Sequence, residues 1–159
     1  MTPWEAFFAA EVGASAALTG LVVVAISVNL ARTLATAGLP ARAAEALIVL
    51  TSALLLASAV LIPFQPEVIL GAEIAAVGFL SLGGTLAARR RSRRSQVASL
   101  APRLLHAILD LAAAAPMVVA GVLVAEGRAT GLYWAAGGVV AALATGILSA
   151  WLLLIEISR

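Results

Sequence analysis

Ala87-Ala88-Arg89-Arg90-Arg91-Ser92-Arg93-Arg94 is the stretch on which the reading of this chain turns. It carries five of the ten arginines and stands between long apolar runs. An arginine cluster beside a hydrophobic span is retained on the cytoplasmic side during insertion. These residues therefore set the direction in which every other segment is expected to cross a bilayer.

That a bilayer is the solvent follows from composition. Of 159 residues, 63% are hydrophobic and 11% charged, and the mean hydropathy is +1.10. A soluble domain is about half apolar and about a quarter charged. So short a chain has too much surface for its volume to hide the excess in a core. The net charge of +2 rests on arginine alone, because lysine is absent. The basic residues lie beside apolar spans, so topology accounts for them and nucleic acid is not an expected partner. Cysteine is absent, which excludes disulfides, thiolate catalysis and zinc–thiolate sites.

Outward from the cluster, apolar runs recur at about 5–34, 42–62, 67–88, 102–125 and 131–155. Roughly 20 residues of helix cross the hydrocarbon at about 1.5 Å each. The expected fold is an all-α integral membrane bundle of five transmembrane helices, one helical domain over residues 1–159. No arginine precedes the first run, so it reads as a permanent span rather than a signal peptide. Gly38 and Pro40, then Pro63 to Glu67, then Glu126 to Thr130, are the expected breaks. If five helices alternate, Arg32, Arg42, the 89–103 arginines and Arg159 share one side and only Arg128 takes the other. That imbalance predicts an outside N-terminus and a cytoplasmic C-terminus. Trp134 and Trp151 lie 17 residues apart, about 25 Å of helix, and suit the two interfacial belts.

Ionisable residues inside spans are the functional candidates. Arg103, His106 and Asp110 fall at i, i+3 and i+7 on one helical face, with His106 and Asp110 one turn apart. Pro116 beyond them leaves the Ala112 carbonyl without its usual donor. The stripe reads either as a proton or ion entry path or as a structural pair that makes Asp110 tolerable. Glu11 and Glu73 each lie about 9 Å inward from the outer ends of their helices, with no basic residue in the outer half of any span. They read as a cation or proton site or as neutral, hydrogen-bonded carboxyls. Ser15 and Thr19 follow Glu11 on its face. Arg42 and Glu45 suit a local interfacial pair, and Asn29 a helix-bridging amide.

Gly138, Ala142, Gly146 and Ala150 recur every four residues on the fifth span, and Gly13, Ala17 and Gly20 do so less strictly on the first. Such faces let helices approach closely, within the chain or between copies. Catalysis is not expected. Asp110 is the only aspartate and His106 the only histidine, so one chain supplies neither an aspartate pair nor bis-histidine haem ligation. No serine sits in a nucleophile motif and no phosphate loop follows a strand. No cofactor and no metal are expected.

Two segments carry a family likeness. They are Trp4 to Phe8 leading through Gly13 to Leu21 into Val24-Ala25-Ile26-Ser27-Val28-Asn29-Leu30, and Trp151 to Arg159 at the end. Together they resemble small, uncharacterised multi-span membrane proteins of actinobacterial type, some of them labelled modulators of the FtsH protease. That resemblance implies a partner role with a membrane-anchored protease. Composition and small-residue faces point to a non-catalytic, self-associating membrane protein of regulatory or scaffolding type, and the resemblance implies a multi-pass place in a bacterial inner membrane. The alternative is a homo-oligomeric proton or cation channel using Glu11, Glu73, His106 and Asp110.

Overall fold

The computed structural model describes residues 3–36, 38–92 and 100–158. They form α1 (Pro3–Val28), α2 (Leu30–Ala35), α3 (Leu39–Val60), α4 (Glu67–Ser92), α5 (Leu100–Ala125) and α6 (Thr130–Ser158), with no strand among the described residues. All but α2 are long and apolar enough to cross a membrane. The breaks have local causes. Where one continuous first span was expected, Asn29 leaves helical geometry at φ −112° and ψ 25° and separates α1 from α2. Its side-chain amide donates to the Ala25 carbonyl at 3.0 Å, a local bond of the kind that competes with the helix ladder. Gly38 (φ 89°) caps α3, with Pro40 in the first turn. Gly127 (φ 73°) closes α5, donating to Val124 while Arg128 donates to Leu123, the paired bonds of a Schellman end.

The helices pack in a ring, α3 on α4, α4 on α5, α5 on α6 and α6 back on α3. α1 lies outside it, mainly against α3 and less extensively against α6. Trp4 meets Tyr133 edge-on at 4.8 Å at one end, and Ile26 packs with Leu39, Ala43 and Leu153 at the other. α1 therefore runs parallel to α6 and antiparallel to α3. We call these the aromatic end and the arginine end. The core between them is built from Phe8, Leu56, Ile74, Met117 and Val139. Leu21, Val24, Leu80, Ile108 and Leu111 face outward, where a span offers its apolar side chains to lipid.

The α4–α5 crossing is close because both sides are small. A methyl group at Gly71 would lie 2.5 Å from the Ala125 nitrogen and the Gly121 carbonyl oxygen. One at Gly121 would lie 2.5 Å from the Ala75 nitrogen. α6 closes on α5 in the same way, with Gly131 against Val124 and Gly138 against Met117. In lipid no hydrophobic force draws helices together, so close packing of this kind carries their association.

Candidate functional site

The arginine end holds a three-helix clasp. Arg89, near the end of α4, donates from Nε to Glu45 of α3 at 3.3 Å and from Nη2 to Asp110 of α5. Both carboxylates are buried, at 8% and 7% exposure, and the Arg89 side chain is 19% exposed. The planar guanidinium presents several donors in a fixed fork and so serves two acids on two helices at once. α4 aims it inward because Ser81, Thr85 and Arg89 stand one turn apart on its buried side, with Ser81 and Thr85 nearly fully enclosed. Asp110 stands one turn from His106, the partner that the sequence suggests on its own helix. It pairs across the bundle with Arg89, while the side chains of His106 and Arg103 lie outside the described residues. Glu45, which stands one turn from Arg42 on its own helix, also reaches Arg89 on α4.

The arrangement suits a structural tie. Two further polar contacts bridge the ring: the hydroxyls of Ser52 on α3 and Ser81 on α4 lie 3.2 Å apart, and Thr145 of α6 donates to the Leu109 carbonyl of α5 at 3.4 Å.

Glu73 is served from the turn before its helix. Gln65 Nε2 donates to Glu73 Oε2 at 2.6 Å. The turn accomplishes this by placing Phe64 in the left-handed region (φ 58°), fully exposed, so that the next side chain turns back into the bundle. Left-handed backbone is uncommon for so bulky a residue. The Gln65 side-chain oxygen Oε1 is buried without a hydrogen-bond partner.

Glu11 is placed differently. It lies on α1 beside Phe8 and one turn before Ser15, both fully buried against the ring. One Glu11 carboxylate oxygen and the Ser15 hydroxyl oxygen are shielded, and neither has a hydrogen-bond partner. Thr19 donates to the Ser15 backbone carbonyl at 2.7 Å, so its hydroxyl is committed. Thus Glu11 and Glu73 sit on helices whose packing partners largely differ, and Asp110 belongs to the clasp at the arginine end. Among the described residues, no group of three or more acidic or histidine side chains is placed to hold a metal.

The small-residue faces divide as well. Gly138 meets Met117, Ala142 is fully buried, Gly146 meets Leu50 of α3, and Ala150 is half-buried. That stripe is occupied by the chain's own neighbours. Gly13, Ala17 and Gly20 are exposed, and nothing lies within 4 Å of a methyl group built at Gly13 or Gly20. At 3.6 residues per turn they lie opposite Phe8, Ser15 and Val22, the buried residues of α1.

Sequence reasoning missed Arg89, Gln65 and the α4–α5 glycines. Arg89 was counted only as a topology signal, although Ser81-x3-Thr85-x3-Arg89 places it on a polar stripe. Gly71-x3-Ala75 and Gly121-x3-Ala125 are small-residue pairs of the same form as those noted on the fifth span. No family model matches the chain, and neither a curated protein nor a solved structure matches it.

Proposed function

We propose that this is a non-catalytic inner-membrane protein of scaffolding or regulatory type that self-associates through the outward face of α1. The observation that carries the reading is the open space beside Gly13 and Gly20 on the one long helix outside the ring. The small residues where α4, α5 and α6 cross are filled by neighbours within the chain, whereas a second helix has room to approach along Ala9, Gly13, Ala17 and Gly20. Small-xxx-small faces support such approach in lipid. The arginine end faces the cytoplasm, with the N-terminus outside, because the arginine imbalance sets that orientation.

The channel reading gains support from one feature only, the unpartnered Glu11 oxygen. Glu45 and Asp110 are tied by Arg89, and Glu73 by Gln65. The carboxylates are therefore distributed as separate contacts, an arrangement that favours a scaffold over a conduit.

Single cysteines test the association, since the natural chain has none. Gly13→Cys and Gly20→Cys are expected to form disulfide-linked dimers in native membranes. Gly83→Cys and Gly137→Cys, equally open but on other helices, are expected to stay monomeric. Equal crosslinking at all four positions would remove α1 as the interface.

A further inference from the structure

We propose that Glu11 and Ser15 form a binding site for one small cation, a proton carried on water or a sodium ion, where α1 meets the ring. A carboxylate oxygen and a hydroxyl oxygen stand one turn apart on the same face of α1, both shielded and both without a hydrogen-bond partner. Buried polar groups are nearly always satisfied, and two exceptions one turn apart on one helical face point to a partner that both can share. Two oxygen ligands, one of them anionic, suit a hard cation or a protonated water.

The helices packed against α1 offer no substitute. On α3 the ionisable residues are Arg42 and Glu45, near its start at the arginine end. On α6 they are Tyr133, edge-on to Trp4 near the aromatic end, and Glu156 in the last turns. On α2 there is Arg32, and on α1 itself Glu5 in the first turn. Glu11 lies eight residues beyond Pro3, about 12 Å along α1. Arg42, Glu45 and Arg32 belong to the far end of the bundle. Among the described residues no cationic side chain stands at the level of Glu11, and a cation from solution is the complement that its charge requires.

The site is distinct from the proposed association surface, which lies on the opposite side of α1, so either can fail alone.

The test uses the full-length protein in liposomes and dicyclohexylcarbodiimide, which modifies protonated carboxyls in apolar surroundings, with labelled residues mapped by mass spectrometry. Glu11 is expected to label faster than Glu73, whose carboxylate is held by Gln65. Raising the pH with choline as the only other cation should suppress the labelling. If sodium at constant pH also suppresses it, the resident ion is sodium; if sodium has no effect, it is the proton. Either result supports the site. Ser15→Ala removes one of the two ligands, so about tenfold more sodium or acid should be needed for the same occupancy. Thr19→Ala, whose hydroxyl serves only the Ser15 carbonyl, should leave both dependences unchanged. Labelling of Glu11 no faster than Glu73, or equal shifts from Ser15→Ala and Thr19→Ala, would overturn the proposal.

Discussion

Near the arginine end, Glu45 and Asp110 close on Arg89 from two different helices, and Ser52 meets Ser81 a few turns away. On α1, one Glu11 oxygen and the Ser15 hydroxyl are just as shielded yet touch no hydrogen-bond partner. The contrast extends to the small residues. Gly71, Gly121 and Gly138 are filled by the backbone or side chains of the next helix, while Gly13 and Gly20 face open space. At these positions the four-helix ring uses its polar and small residues for its own assembly, although Gly83 and Gly137 on its outer side stay open. α1 carries both kinds, the unpartnered oxygens turned inward and the open glycines outward, and the proposals made for this helix rest on that difference.

The largest effect should come from breaking the clasp. Arg89→Met leaves two buried carboxylates without their common cation and is expected to cost about 3–5 kcal/mol of stability in detergent. Replacing Glu45 and Asp110 by leucine in the same variant should recover most of that loss, because a buried carboxylate that has lost its guanidinium is the costly state. Recovery would be absent if the clasp contributed only local charge balance at a solvated surface. A double-mutant cycle on the unfolding midpoint distinguishes the two outcomes.

The next effect compares two glycines. Gly121→Ala puts a methyl group against the α4 backbone and should destabilise by about 1–3 kcal/mol through overpacking. Gly13→Ala meets nothing and should be neutral or slightly stabilising, since alanine is the better helix former. Equal unfolding midpoints for the two variants would contradict the division between filled and open faces. The smallest effect belongs to Thr145→Val. Its bond to the Leu109 carbonyl is long, and hydrogen bonds between membrane helices average about 0.6 kcal/mol. A midpoint lowered as much as by Gly121→Ala would mean that this contact matters more than its geometry indicates.

Much of the architecture was legible because it depends on run length. Apolar runs bounded by Gly38–Pro40, Pro63–Pro66 and Gly127 could be read as helices without knowing which neighbour each would meet. Partner choice was not legible, because it depends on which helix faces which. Asp110 has His106 one turn away in sequence, and only the α4–α5 crossing reveals that Arg89 reaches it. The Gly138 to Ala150 stripe has the same pattern as Gly13 to Gly20, and only the position of α6 within the ring assigns the former to internal packing. The break at Asn29 was missed because a single polar residue late in an apolar run gives no period of its own.

The central claim is that the outward face of α1 joins copies of this chain while the ring stands on its own. The most direct measurement is the protein mass in detergent, by light scattering corrected for bound detergent, of the natural chain and of the Gly13→Leu, Gly20→Leu double variant. The account predicts an oligomer for the natural chain and a monomer with an unchanged unfolding midpoint for the variant. A variant that keeps the oligomeric mass, or a natural chain that is already monomeric, would contradict it.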